Sequence, residues 1–202
     1  MSTKLLYKFK SNRSLSCNIW PTRKITPKQK LILQKIRKKK LSDYGLKLQA
    51  KRALSFLYGN LSSSQYQKTL QQAQKLQGKI GNNFMTFLEK RLDTVIYRMN
   101  ICPTFRSAKQ LILHGKVFVN QKLQDIPSYQ LKPGDIISLS PNDPKVFQSL
   151  AQKSSLGFQQ KTLSRSKSLH LEINYKTLTA IFLYPPQQLQ NSYPLDINLL
   201  TQ

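Results

Sequence analysis

The side chains in this chain best suited to specific chemistry are arginines and lysines at helical spacing, and that chemistry is phosphate recognition. Arg91 and Arg98 stand seven residues apart, which on a helix of 3.6 residues per turn gives nearly the same bearing. Arg106, Lys109 and Gln110 share one face of a second, shorter helical stretch beginning at Thr104. A planar guanidinium offers paired donors that match phosphate oxygens, so the three arginines lead the candidate contacts. His114, just before Gly115, is placed either to cap that helix or to touch a polyanion. Other chemistries lack material. With 8 acidic residues and 2 histidines, no Ser/His/Asp set, paired carboxylates or phosphate loop emerges. Cys17 and Cys102 lie far apart without a CxxC, which excludes a zinc site built from this chain alone. Each reads as a small apolar filler, and no metal or cofactor is expected.

Charge points the same way. Lys+Arg number 33 and the formal net charge is +25, a density whose self-repulsion a polyanionic partner would relieve. Residues 1–42 carry thirteen basic side chains and no acidic one. No stretch approaches the roughly 18 apolar residues of a membrane-spanning helix, so nucleic acid is favoured over a lipid surface. The basic, Ser-containing start superficially fits a transit peptide. Its character continues through Lys40 without a processing boundary, and it is read as mature sequence. Scarce Gly and abundant Lys, Gln, Asn, Leu and Ile resemble the usage of an AT-rich, organelle-type genome.

These residues need scaffolding. Thr26-Pro27 marks a helix start, with Leu31, Ile32 and Ile36 at helical spacing. Arg37-Lys38-Lys39-Lys40 follows, then Leu41–Gly45 as a turn or short loop. Leu46, Ala50, Ala53, Leu54 and Leu57 mark a helix ended by Gly59-Asn60. Lys47, Lys51 and Arg52 line its other side. Ser62–Ser64 opens a Gln-rich helix to about residue 77, whose thin apolar stripe predicts weak packing. Phe84, Phe87, Leu88, Leu92, Val95, Ile96 and Met99 then recur at the spacing of one continuous buried helical face. Pro103 ends it, and Thr104 caps a short helix with Ala108, Leu111 and Ile112 inward. After Gly115 the period becomes two: Val117 and Val119, a turn at Asn120-Gln121, a second strand, then the Lys132–Asp135 turn into Ile136–Leu139. Residues 141–168 read as a polar linker or insertion. Leu169–Ile173 and Ala180–Tyr184 predict a terminal hairpin. Tyr97 and Tyr129 read as packing residues rather than base-stacking ones.

The stretch RLDTVIYRMNICPTFRSAKQLILHGKVFVNQKLQDIPSYQLKPGDIISLS, residues 91–140, closely resembles the RNA-binding domain of the small-subunit ribosomal protein S4 family. Leu41–Leu48 resembles the segment that precedes it in that family. LSCNIW near the start, and LEINYKTLTAIFLYPP with PLDINLL near the end, are similar to the family's plant and algal mitochondrial members. The resemblance implies an α+β fold: a helical domain plus a small two-helix, β-sheet RNA-binding module of the alpha-L type. Around these it places a basic N-terminal extension at 1–40, the helical domain at 41–87 with a C-terminal return of 169–202, and the module at 88–140.

It also implies a role: a structural, non-enzymatic constituent of a small ribosomal subunit that binds the five-way rRNA junction of the 5′ domain early in assembly. By resemblance the chain lies near the mRNA entrance beside the fifth and third small-subunit proteins, in a mitochondrion, with a plastid or bacterial cytoplasm as the alternative. Matched positions carry over Arg91, Arg98, Thr104, Arg106, Lys109, Gln110, His114 and Lys116 as rRNA contacts. Tyr44, Lys47, Lys51 and Arg52 are candidates from the helical domain, and Arg37, Lys38, Lys39 and Lys40 from the basic run. Two departures stand out: the Cys cluster of some bacterial members is missing, and the 141–168 segment is long. The rival reading is an RNA-modifying enzyme. Pseudouridine synthases bearing this accessory domain use the Asp of an R-L-D motif, and Arg91-Leu92-Asp93 matches it in letters. No catalytic domain of adequate length follows, so Asp93 is expected to lie on the helix surface or pair with an arginine.

Overall fold

The computed structural model describes residues 8–15, 26–36, 42–102, 104–140 and 168–186. The Arg37–Lys40 run, Cys17, Pro103, residues 141–167 of the expected linker and the PLDINLL segment lie outside them.

Helices come first in the chain. α1 (Lys8–Leu15) lies on α3 (Asp43–Leu57), with Leu15 buried against Ala53, Phe56 and Leu57. Gln49 Nε2 ties the join by donating to the Leu15 carbonyl at 2.8 Å. α2 (Pro27–Ile36) starts at the expected Thr26-Pro27. Thr26 Oγ1 accepts from the Gln29 amide while Gln29 Oε1 accepts from the Thr26 amide, which satisfies two amides at the helix start. Its inward residue is Leu33, whereas Leu31 and Ile32, which mark the helical spacing in the sequence, are exposed. The supposed turn at Leu41–Gly45 differs as well. Ser42 caps α3 by accepting from the Gly45 amide, so Asp43, Tyr44 and Gly45 form its first turn. Gly59 and Asn60, both at positive φ (69° and 61°), end α3.

α4 (Ser63–Gln74) carries a reciprocal cap between Ser62 and Gln65. It packs more firmly than its Gln-rich composition suggests. Tyr66, Thr69 and Ala73 are buried, and the Tyr66 ring meets Phe84 edge-on at 5.3 Å. Three small or aromatic residues suffice because α5 (Ile80–Glu89) supplies the bulk: Phe84, Met85 and Leu88 join Leu54, Tyr58 and Leu61 in one core.

The single helix expected over 84–99 is two. α5 stops at Glu89, and α6 (Leu92–Arg98) begins after Arg91, whose backbone is extended and bridges to Gln130. The interruption is held from a distance. The Leu92 and Asp93 amides donate to the carbonyls of Tyr129 and Pro127, and the Leu131 amide donates to the Lys90 carbonyl. Since the orphan donors of the new helix are satisfied by loop carbonyls, the break costs little. α7 (Phe105–Leu113) follows, capped by Thr104, which accepts from the Ser107 amide at 3.2 Å.

α6 and α7 cover one face of an antiparallel sheet ordered β2-β1-β3-β5-β4. β1 (Val117–Val119) and β2 (Lys122–Leu123) are joined by Asn120-Gln121. Both turn residues have positive φ (50° and 67°), the geometry that matches a hairpin's twist. β3 (Ile136–Leu139) emerges from the Lys132–Asp135 turn, where Gly134 sits at φ +91°. Asn120 braces the two turns, donating to Asp135 Oδ1 at 2.9 Å and accepting from the Ile136 amide at 3.0 Å.

The terminal hairpin forms, as β4 (Leu171–Asn174) and β5 (Thr179–Phe182). Its described part joins the module instead of returning to the helical domain. Ile136, Ile137 and Ser138 of β3 pair with Ile181, Ala180 and Thr179 of β5. β3 would otherwise be an open edge with unpaired backbone groups. The alternation also buries Leu171, Ala180 and Phe182 in the core formed by Ile137, Leu139, Val95 and Ile96.

Candidate nucleic-acid interface

Ala108 and Ile112 anchor α7 on the sheet, and this fixes what its other side presents. Arg106, Gln110 and His114 are exposed there. Thr104 is half-buried and serves the helix as its cap. His114 is the C-terminal cap residue, its amide donating to the Gln110 carbonyl at 3.0 Å. Its imidazole is therefore placed at a helix end that favours positive charge. Lys116 is half-buried.

Lys109, on the same side, is partly tied down. Its ammonium donates to the Gly59 carbonyl at 2.8 Å and lies 3.8 Å from Asp93 Oδ2. Burial lowers its pKa, and the Asp93 charge works against that.

Arg91 and Arg98 do not stack on a common surface. Arg91 is 4% exposed, and its guanidinium grips Asp93 with two bonds, Nε to Oδ1 at 3.0 Å and Nη2 to Oδ2 at 2.9 Å. Arg98 grips Glu89 in the same way, Nη2 to Oε1 at 2.7 Å and Nε to Oε2 at 3.1 Å. Glu89 is wholly buried and also accepts from the Tyr58 hydroxyl at 2.7 Å. Burial by itself would lower the Arg98 pKa, but the charge and hydrogen bonds of Glu89 outweigh it and hold it raised. Tyr58 is pushed well above its ordinary range, first by burial and then by Glu89. The expected common outward bearing of Arg91 and Arg98 is thus corrected: two donors of each guanidinium are engaged by a buried carboxylate, and of the two side chains only Arg98 is part-exposed. The break at residues 90–91 is the physical reason, because it turns Arg91 off the helical bearing that linked it to Arg98.

In the helical domain, Tyr44, Lys47 and Lys51 follow one stripe of α3 at spacings of three and four residues. Tyr44 is 75% exposed, Lys47 is half-buried, and Lys51 and Arg52 are exposed. The Lys51 ammonium sits 5.6 Å from the centre of the Tyr66 ring, within cation–π range. The α3 and α7 surfaces are coupled where α3 ends. Gly59 lies so close to α7 that an added Cβ would fall 2.8 Å from Phe105 Cβ. Beside it Phe105 stacks on Tyr97 at 3.9 Å and packs against Tyr58.

Comparison with known proteins agrees with this layout. Residues 1–89 match the family model described as ribosomal protein S4/S9 N-terminal domain, and residues 90–137 match the S4 domain. The chain is 40% identical over 199 residues to small ribosomal subunit protein uS4m of Marchantia polymorpha, covering 96% of this chain and 97% of that one. It is 37% identical over 196 residues to uS4 of Rickettsia typhi, covering 94% and 91%. With uS4 of Caulobacter vibrioides the identity is 33% over 205 residues, covering 96% and 94%. The chain belongs to the uS4 family. The boundary between the two family matches, at 89/90, coincides with the interruption between α5 and α6.

Membership in the uS4 family decides against the enzyme reading of Arg91-Leu92-Asp93. The geometry agrees, since the Asp93 carboxylate is buried and occupied by Arg91, Thr94 and Lys109. A carboxylate so enclosed cannot attack a base. Asp93 is arginine-pairing, as expected, but not a helix-surface residue. Tyr97 and Tyr129 both pack on the module core, as expected.

Sequence reasoning missed Tyr58 and Glu89 and took Gly59 only as a helix end, whereas the three join the two parts of this uS4 family member. One signal was available. Glu89 is one of only 8 acids in a chain of 33 basic residues and falls on an apolar helix face, where a charge needs a partner. Exposed Lys68, Lys122 and Lys132 were also not singled out.

Proposed function

We propose that this chain is a structural, non-enzymatic constituent of a small ribosomal subunit and binds its rRNA directly. The observation that carries the reading is near-full-length similarity to uS4 proteins together with an exposed basic α7 face on a rigid sheet. A-form RNA hides its base edges in a deep, narrow major groove. A fixed array of cations therefore recognises backbone contour, 2′-hydroxyls and junction shape. Arg106, Gln110, His114 and Lys116 form one contact surface and Tyr44, Lys47, Lys51 and Arg52 a second, while Arg37, Lys38, Lys39 and Lys40, outside the described residues, add basic charge just before it in the sequence. Thr104 and Lys109 hold the first surface in shape, and Arg91 and Arg98 act from the interior as positioning residues.

The target is the five-way junction in the 5′ domain of small-subunit rRNA, bound early so that it nucleates assembly of the subunit body. The fifth and third small-subunit proteins and the mRNA entrance adjoin it. The similarity to uS4m supports a mitochondrial location. Sedimentation of tagged chain tests the reading. Stoichiometric co-migration with small subunits through moderate salt is expected, and release at low salt or migration with large-subunit particles overturns it.

A further inference from the structure

One residue on the α7 surface does not belong to a phosphate-binding array. Leu113 is 65% exposed at the end of α7. At 3.6 residues per turn it falls about 20° from the bearing of Arg106 and between those of Arg106 and Lys109, with Gln110 about 40° to the other side. The buried Ala108 and Ile112 lie about 140° and 100° away from it around the helix. A large aliphatic side chain therefore stands in the middle of the outward polar stripe, two turns along from Arg106. It contributes to neither core: the module cluster contains Ala108, Ile112 and Leu111 but not Leu113.

We propose that Leu113 is an apolar RNA contact, seated on the sugar edges of the wide, shallow minor groove while Arg106 and its neighbours hold the flanking phosphates. This rests on the rRNA-binding reading above and adds a non-electrostatic element to it. Charge complementarity selects the occupant. The leucine is framed by Arg106, Lys109 and His114 on its own helix, and no acidic residue lies on α7. A protein surface docking there would have to be apolar at its centre and acidic around it. RNA comes near that pattern in its minor groove, where ribose C–H groups lie among 2′-hydroxyls and base edges between two rows of phosphates. The side chain supplies affinity by excluding water from that surface, and that share of the binding does not depend on released counterions.

Two kinds of contact on one helix face are separable by salt. The experiment measures binding of the full chain to a small-subunit 5′-domain rRNA transcript across a potassium chloride series, with Leu113→Ser, Leu113→Lys and Arg106→Gln beside the parent. Leu113 is solvent-facing, so its variants fold, and circular dichroism checks this. Leu113→Ser is expected to weaken binding roughly tenfold, in line with the burial of one leucine side chain, at an unchanged slope of log K against log salt. Arg106→Gln is expected to flatten the slope by about 0.7–0.9, one phosphate's worth. Leu113→Lys discriminates most sharply. A purely electrostatic surface gains affinity and slope from the added charge, whereas an apolar seat loses affinity.

Tighter binding by Leu113→Lys, or Leu113→Ser within twofold of the parent, overturns the inference while leaving rRNA binding intact. Loss of co-sedimentation with subunits but normal transcript binding by Leu113→Ser assigns the leucine to a protein neighbour and likewise overturns it. Absence of salt-dependent binding by the parent overturns the function itself, a separate outcome.

Discussion

Glu89→Gln tests whether the buried carboxylate at the end of α5 joins the two parts of the molecule. The wild-type carboxylate accepts three bonds, two from Arg98 and one from Tyr58, at 2.7–3.1 Å. Glutamine has nearly the same shape but carries no charge, and its amide nitrogen turns donors toward the Arg98 guanidinium. Breaking a buried pair from one side costs about 3–5 kcal/mol. The lower end applies because the Arg98 side chain retains 20% exposure and water can solvate part of its charge. At about 2–4 °C per kcal/mol for a chain of this size, a loss of about 3 kcal/mol lowers Tm by about 6–12 °C. Tyr58→Phe removes one hydrogen bond to a charged acceptor and should cost about 1.5–3 kcal/mol. Replacing both charged partners, Glu89→Leu with Arg98→Met, should recover part of the loss, because it leaves no buried charge unpaired and only the Tyr58 hydroxyl without its acceptor. Thermal unfolding followed by far-ultraviolet circular dichroism reads all four chains. A Tm for Glu89→Gln within 2 °C of wild type, or a double variant no more stable than Glu89→Gln, refutes the reasoning.

Other perturbations follow from particular contacts. Gly59→Ala places a methyl 2.8 Å from Phe105 Cβ at a residue with φ +69°. It should cost about 2–3 kcal/mol in denaturant unfolding, and an unchanged midpoint rules out the close approach of α3 and α7. Gln121 holds φ 67° in the β1–β2 turn. Gln121→Gly should raise stability by up to about 1 kcal/mol, and a lower Tm argues against that turn geometry. His170 is buried beside Phe182, with no hydrogen-bond partner for Nε2 among the described residues. Burial lowers its pKa below the ordinary 6.5, with Glu89 opposing and Arg98 assisting. Protonation then favours the unfolded chain, so stability is full above about pH 6.5 and falls as pH drops below it. His170→Phe should shrink the Tm difference between pH 7.5 and 5.5, and an identical difference in both chains contradicts this origin.

Local grammar was largely legible in the sequence. Thr26-Pro27, Thr104, Gly59-Asn60, Asn120-Gln121 and Lys132–Asp135 act where their types predict, because each satisfies or redirects backbone groups within a few residues. The α5/α6 interruption was not. The apolar period from Phe84 to Met99 runs through it unbroken, and the cause lies in carbonyls at 127 and 129. The burial of Arg91 follows from that same distant contact, a cause no window of neighbouring residues contains, whereas Arg98 is held by Glu89 nine residues before it. Docking of the terminal hairpin on β3 was hidden likewise, since an alternating strand declares its faces but not its neighbour. Arg106, Gln110 and His114 were legible because one short amphipathic helix settles their bearing by itself.

The most direct test of rRNA binding is the salt dependence of the full chain's affinity for a small-subunit 5′-domain transcript, measured by fluorescence anisotropy beside a large-subunit transcript of equal length. Engagement of about five phosphates by the α3 and α7 surfaces predicts a log–log slope near −4, with clear preference for the small-subunit RNA. A flat response, or equal binding to both transcripts, contradicts the account.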